Sequence, residues 1–412
     1  MKVICDRGAL LNAINLVAAV VPARTPTPQL GCVKLSAAKS GGVGELTLAG
    51  SDGETALQIA LTQVDVAQPG QAAIPADKLR QIVSAEEGEP TLTIEVNGEE
   101  CHIRGSGAHF RIFGYPASEF PPIPDLAAYL AGGVGTEAPR TIFTQTAGAL
   151  ATLIERTSFA TARETSRYAI NGVLLRRDGK KVEMVATDGR RLALSRGTAG
   201  GEKTAAGGSG EPVSCIVPTK ALNMVGKLIG DADDPVRVVV TESKVFFAFD
   251  HPGSGASTAK GKEKAGSGTP RAVLSSTLVE GTFPPYEDVI PKEQDKKVLA
   301  DRESLTRAVR KAAVLTNEES RGVRLAFDGK DKRLTLSSRA PEMGEAEINV
   351  DLSSYEGENI EISFNPTFIS DVLRVVSDQD VIVELKAPNK PGLVRTASGD
   401  FMYVVMPVNL PA

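Results

Sequence analysis

Ala73-Ile74-Pro75-Ala76-Asp77-Lys78-Leu79 is a strand-like run that ends on a proline and opens a short amphipathic helix. Ile216-Val217-Pro218-Thr219-Lys220-Ala221-Leu222 repeats the arrangement, and Phe364-Asn365-Pro366-Thr367-Phe368-Ile369 gives it a third time. Proline suits the start of a helix, where its missing N–H would have no intrahelical partner. A second pattern keeps step. Asp6, Thr146 and Asp301 are helix-capping residue types, each four residues before a leucine (Leu10, Leu150, Leu305) and eight before Ile14, Ile154 or Val309. Repetition at this scale sets the architecture before any motif does, and a unit of roughly 130 residues is an ordinary domain size. The chain of 412 residues therefore reads as three copies of one domain in series, bounded at 1–135, 136–291 and 292–412.

The spacings test that reading. Pro75 and Pro218 are 143 residues apart, whereas Phe120 of Glu-Phe-Pro-Pro and Phe283 of Thr-Phe-Pro-Pro are 163 apart. The second copy must hold about twenty extra residues. They lie in His251 through Pro270, a Gly/Ser/Lys-rich stretch without apolar period that reads as a flexible, solvated insertion. A smaller excess of the same composition spans 197–212.

Composition bounds the class. With 46 Lys+Arg against 51 Asp+Glu the net charge is −5, which argues against a surface that grips nucleic acid everywhere. No segment has the continuous apolar length of a membrane span, and the N-terminus enters a strand directly. Cys5, Cys32, Cys101 and Cys215 are scattered without a Cys-x-x-Cys pair, which fits a reducing cytoplasm. Each copy reads as mostly strand with two helices. Leu46-Thr-Leu-Ala-Gly, Val182-Glu-Met-Val-Ala and Leu334-Thr-Leu-Ser-Ser alternate as half-buried strands do, and Leu10, Ile14, Val17 and Leu305, Val309, Ala312 follow the helical period. The fold class is α+β with antiparallel sheets and helices covering their buried face.

Catalytic constellations are not evident. His102, His109 and His251 form no His-Glu-x-x-His, and no Cys/His cluster has metal spacing, so neither metal nor cofactor is expected. Gly255 to Lys262 has the wrong glycine spacing for a phosphate loop, with Glu263 where Ser/Thr belongs. Thr187-Asp188-Gly189 could be read around a catalytic aspartate. Ser51-Asp52-Gly53 stands at the corresponding place in the first copy, so the turn reading is preferred.

Four stretches carry a family resemblance: Ala186-Thr-Asp-Gly-Arg-Arg-Leu-Ala193, Leu278-Val-Glu-Gly-Thr-Phe-Pro-Pro-Tyr286, Ser320-Arg-Gly-Val-Arg-Leu325 and the near-terminal Tyr403-Val-Val-Met-Pro-Val408. Together with the triplication they resemble the bacterial replicative sliding clamp, the beta subunit of DNA polymerase III, over essentially the whole chain. The resemblance implies a head-to-tail dimeric ring of six similar domains, with sheets outside and helices lining a hole. Such a ring encircles duplex DNA, tethers the replicative polymerase in the cytoplasm at the nucleoid, and has no catalytic site of its own. It implies DNA contacts at Arg24, Arg163, Arg167, Tyr168 and Lys220. A partner-peptide pocket follows at Ile170, Thr187, Gly189, Arg190, Arg191, Leu192, Pro284, Val289, Val405, Met406, Pro407, Val408 and Leu410. This pocket receives short linear peptides from the catalytic subunit, the clamp loader and repair polymerases. Its aliphatic residues make an apolar cup, Met406 adapts to different ligands, and the arginines are expected as polar anchors on the rim.

The charge pattern agrees with a DNA-lined hole. Arg7, Lys78, Arg80, Arg156, Lys220, Lys227, Arg302, Arg307, Arg310, Lys311 and Arg374 outnumber the acids on the helices, and long cations meet phosphates without reading bases. Ordinary solvated helix faces are the plainer reading for any one of them. Three domains per chain make half of a six-domain ring, so two chains must meet head to tail. The expected edges are His109-Phe110-Arg111-Ile112 with Lys78, and Val314-Leu315 with Glu342, Glu345 and Glu347. Phe110, Ile112 and Leu315 would form the apolar centre. Two other classes stay open on sequence: a triplicated enzyme, which would need convergent acid, base or metal groups, and a scaffold that binds only proteins, which would not need basic helices.

Overall fold

The computed structural model describes residues 1–40, 42–162, 168–200, 212–250, 270–316, 322–340 and 343–409. Arg163, Arg167, Glu342 and Leu410, the Gly255–Lys262 stretch, and residues 201–211 and 251–269 of the two expected insertions lie outside the described residues.

Two helices recur in each copy. They are α1 (Arg7–Ala18) with α2 (Ala76–Ala85), α4 (Ala147–Glu155) with α5 (Thr219–Leu228), and α6 (Arg302–Ala313) with α7 (Pro366–Val375); a five-residue α3 (Leu126–Leu130) follows the first pair. The expected caps are in place. The Asp6 carboxylate accepts the Ala9 N–H at 2.7 Å, the Thr146 hydroxyl that of Ala149 at 3.3 Å, and Asp301 that of Ser304 at 2.8 Å. Each satisfies a donor that the first helical turn leaves without a partner, worth about 1 kcal/mol. Leu10, Ala13, Ile14 and Val17 of α1, and Leu305, Ala308, Val309 and Ala312 of α6, form the buried stripes. Burying each of the larger of these side chains contributes roughly 1.5–3 kcal/mol.

The strands repeat as two antiparallel quartets per copy. The first quartets are 70–75/32–40/43–51/55–68, 213–218/172–178/181–187/191–198 and 360–364/323–328/333–340/344–351. The second are 109–113/100–104/91–97/2–6, 272–277/244–249/235–240/141–146 and 401–405/392–395/380–385/296–301. Contacts divide the chain into two compact units. One comprises Met1–Ala151, Ala199–Val213 and Lys220–Leu278; the other comprises Thr152–Thr198, Ser214–Thr219 and Val279–Ala412.

Each unit contains a sheet that runs across a boundary between copies. In the first unit the Thr55–Gln68 strand of copy one pairs with the Ala272–Thr277 strand of copy two, Leu57 opposite Leu274 and Ile59 opposite Ala272. In the second unit the Arg191–Thr198 strand of copy two pairs with the Phe401–Val405 strand of copy three, Arg191 opposite Val405 and Leu194 opposite Met402. The same two quartet positions meet at both seams. A third such seam would join Gly344–Asp351 of copy three to His109–Phe113 of copy one. Among the described residues each of these strands has a single partner and ends its sheet.

Inside the sheets the alternation sometimes disappears. Five consecutive residues of Lys244–Phe249 are buried, as are Tyr403, Val404 and Val405, because both faces of those strands are covered. All four cysteines are buried and outside any disulfide; burial pushes the thiols of Cys5 and Cys101 up to about 12 and that of Cys32 to about 11. Such thiols carry almost no nucleophilic thiolate at neutral pH.

Candidate partner-binding and DNA-facing sites

Thr187-Asp188-Gly189 is a turn, and Ser51-Asp52-Gly53 is its duplicate. The Thr187 hydroxyl donates to the Arg191 carbonyl at 2.7 Å and accepts the Gly189 N–H at 3.1 Å; Ser51 does the same with Thr55 and Gly53 at 3.2 and 3.0 Å. Both glycines lie in the left-handed region, at φ +84° and +96°, where a Cβ is strained. One carboxylate oxygen of each aspartate accepts two backbone N–H groups: Arg190 and Arg191 for Asp188, Glu54 and Thr55 for Asp52. This reciprocal bonding is the local reason for the motif.

Arg191 departs from the expectation of a rim anchor. Its side chain is only 10% exposed. Nε donates to Asp188 at 3.0 Å, Nη1 to Asp371 of α7 at 2.6 Å and Nη2 to the Phe159 carbonyl at 2.7 Å. The guanidinium also lies 4.5 Å from the Phe368 ring centroid. Burial alone would lower its pKa, yet Asp371 and its neighbours raise it, so the cation is held. Planarity and five donors suit arginine to this triple engagement. Arg190 is the exposed one of the pair.

Around this clip the second unit gathers most of the expected pocket. The Met406 N–H donates to the Arg190 carbonyl at 2.9 Å, and that of Val408 to the Ser363 carbonyl at 2.8 Å, so the tail after Val405 is fixed by its backbone. Met406 is exposed, Pro407 and Val408 half-buried. Leu192 belongs to an apolar cluster with Ala169, Leu174, Val404, Leu393 and Tyr286, flanked by Phe283, Ile290 and Met402. Ile170 and Thr187 are buried, Pro284 is half-buried and Val289 exposed on the turn Tyr286–Val289. Val405 is fully covered. Its contribution is the ladder to Arg191, not a ligand-facing surface. Sequence reasoning missed Asp371, Phe368 and Tyr286. Tyr286 stood inside a quoted motif; Asp371, 180 residues from Arg191, carried no local signal.

The helix cations divide into two kinds. Arg156 is not on a helix face but follows α4, 7% exposed, bonded to Asp400 at 3.0 Å and 5.4 Å from the Phe401 ring centroid. Arg7 donates to the carbonyls of Val83 and Ser84 at 3.0 and 2.9 Å, and Arg302 to that of Asp378 at 3.2 Å; both tie the start of one helix to the end of its neighbour. Lys78, Arg80, Lys220, Lys227, Arg307, Arg310, Lys311 and Arg374 are exposed. Arg80, Arg307 and Arg374 have carboxylates on their own helices, Asp77, Glu303 and Asp371, at 3.3–3.7 Å. Arg24 is exposed on the segment after α1, and Tyr168 is partly exposed. The Lys220 ammonium is bonded to Asp52.

On the open edges, exposed His109 and Arg111 alternate with half-buried Phe110 and Ile112, and Phe113 adds an exposed ring at 62% that the sequence reading left out. On the other edge Glu345 and Glu347 are exposed, next to Met343 at 59%. Val314 is exposed after α6 and Leu315 half-buried. His102 and His109 meet across the hairpin, Nδ1 to Nε2 at 3.0 Å. Among the described residues there is no cluster of three or more His, Cys, Asp or Glu able to hold a metal, and no helix long and apolar enough to cross a membrane.

The tandem copies and the sheets that cross their boundaries define a clamp-type repeat protein. Models of the N-terminal, central and C-terminal domains of the DNA polymerase III beta subunit match residues 1–124, 146–285 and 287–409. The beta sliding clamp of Pseudomonas aeruginosa is 32% identical over 98% of this chain and 99% of its own length, and that of Escherichia coli 29% identical over all of both. A crystal structure of the Pseudomonas aeruginosa DnaN sliding clamp bound to griselimycin superposes with TM-score 0.83 at 32% identity over all of both chains. The Bacillus subtilis clamp, at TM-score 0.85 and 23% identity, shares the fold. The chain belongs to the DNA polymerase III beta subunit family, the bacterial DNA sliding clamps. It is a processivity factor that works with DNA and a polymerase, and it is not a catalyst.

Proposed function

We propose that two copies of this chain close head to tail into a ring of six domains, bounded in each chain near 1–135, 136–291 and 292–412, around duplex DNA. The observation that carries this is the unfilled third seam. Two boundaries between copies are bridged by the same pair of strand positions, and the strands that would make the third, Gly344–Asp351 and His109–Phe113, each lack a second partner among the described residues. An unpaired strand edge favours pairing with another chain. The exposed residues are complementary: His109 and Arg111 on one edge, Glu345 and Glu347 on the other, with Phe113 and Met343 as apolar ends. The charges select orientation and partner more than strength.

Arg24, Arg163, Arg167, Tyr168 and Lys220, with the exposed helix cations, meet the phosphate backbone without reading sequence. The surface formed by Met406, Pro407 and Val408, with Arg190 at its margin and Leu192 in the apolar cluster behind it, takes a short linear peptide. Its donors are the catalytic subunit of DNA polymerase III, the clamp loader and repair polymerases, and the setting is the cytoplasm at the nucleoid. Electron microscopy of the protein alone and with nicked circular DNA tests the reading, together with retention on that DNA before and after linearisation. A particle with a central hole that is retained on circles and lost from cut ends is expected; equal retention on both overturns it.

A further inference from the structure

Among the exposed helix cations with a carboxylate partner in the described residues, Lys220 is the one whose partner lies on another element. On α5 it shares the exposed face with Asn223 and Lys227, while Ala221, Leu222, Met224, Val225 and Leu228 are buried behind it. Asp52 is built to receive it. Its Oδ1 is held by the N–H groups of Glu54 and Thr55 at 2.9 and 2.6 Å, which leaves Oδ2 for the ammonium, and its side chain is 16% exposed where that of Lys220 is 50%. Burial would raise the Asp52 pKa, but Lys220 and the two backbone donors hold it below the usual carboxylate range, so the carboxylate stays charged. The duplicate turn uses its Asp188 differently. There the partner is Arg191, enclosed and bonded onward to Asp371, which makes a strut; at Asp52 the cation stays open to solvent.

We propose that Asp52 is a resident counterion for Lys220, an internal competitor for the DNA phosphates that keeps this cation from gripping a sliding duplex. The inference rests on the DNA-encircling reading above. A free lysine that neutralises a phosphate releases a condensed ion and contributes about 0.9 to the slope of log K against log salt. A lysine already neutralised contributes little, because phosphate must displace a carboxylate that is then left facing it. Lys220 therefore faces the passing backbone without holding it.

Asp52→Asn isolates the charge, since the amide oxygen still accepts the Glu54 and Thr55 N–H groups. The full-length protein is titrated against a short fluorescein-labelled duplex by anisotropy over a series of NaCl concentrations. The variant is expected to bind several-fold tighter at low salt, with a slope steeper by about 0.9; adding Lys220→Ala should remove the gain. An Asp52→Asn slope equal to wild type overturns the proposal, and with a lowered unfolding temperature it assigns the pair to structure alone. A gain that survives Lys220→Ala overturns it too. Wild-type protein that binds the duplex with no salt dependence would defeat the DNA reading itself.

Discussion

Removing Arg191 should unfasten the seam between the second and third copies while leaving the first seam intact. Arg191→Ala deletes bonds to Asp188, Asp371 and the Phe159 carbonyl at 2.6–3.0 Å and the stacking on Phe368, all at a side chain one-tenth exposed. Deleting one partner of a buried pair costs about 3–5 kcal/mol, because the other charge is left uncompensated. Two facts place this case at the lower end. Asp188 retains two backbone donors, and Asp371 retains Arg374 at 3.3 Å. About 3 kcal/mol is therefore expected, equivalent to a loss on the order of 100-fold in amide protection. Native-state hydrogen exchange reads it locally. Strands Arg191–Thr198 and Phe401–Val405 should lose protection, whereas Thr55–Gln68 and Ala272–Thr277 serve as the internal control. Arg191→Lys should recover less than half, since one ammonium cannot serve three acceptors and stack as well. A loss below tenfold would mean that the β-ladder holds the seam unaided and that the clip is dispensable.

Met406→Ala, at an exposed position, should change stability by less than about 0.5 kcal/mol and abolish binding of a polymerase-derived peptide in calorimetry; undiminished binding would remove the site assigned here. Leu315→Asp should leave a folded single chain in sedimentation that is not retained on circular DNA, and a stable dimer would place ring closure elsewhere. Partial burial would raise the Asp400 pKa, but bonds from Ser398, Thr396 and Arg156 outweigh it and push the carboxyl down from 3.8 to about 2. A depressed folded pKa stabilises above the unfolded value and loses that advantage as pH falls from about 4 towards 2. Asp400→Asn should therefore flatten the acid limb of the unfolding temperature over that window; an unchanged limb would show that the bonded carboxylate is not what the acid removes.

What the sequence revealed was local and periodic. Asp6, Thr146 and Asp301 could be read as caps because a cap and its helix lie within four residues, and the prolines marked helix starts for the same reason. The Asp-Gly turns were readable from the need for positive φ. The pairing of Leu57 with Leu274 was not, since nothing local distinguishes a strand that stops at its own sheet from one that continues another. Arg156 looked like a helix cation because its role depends on Asp400, 244 residues away. Likewise, two arginines adjacent in sequence divide into an exposed Arg190 and an enclosed Arg191 only once α7 is in place. The five residues of α3 were too few to show a period.

Because the ladders cross the boundaries between copies, the module that heredity duplicated is not the module that resists deformation. A stress applied to the first copy passes through backbone hydrogen bonds into the Ala272–Thr277 strand of the second, while the Arg191–Thr198 strand of that same second copy is welded to the third. The middle copy is thus divided between the two compact units, one holding all of the first copy and the other all of the third, so the boundary of the folded unit falls inside a repeat of the sequence. A crack opened at either internal seam would have to unzip a continuous sheet.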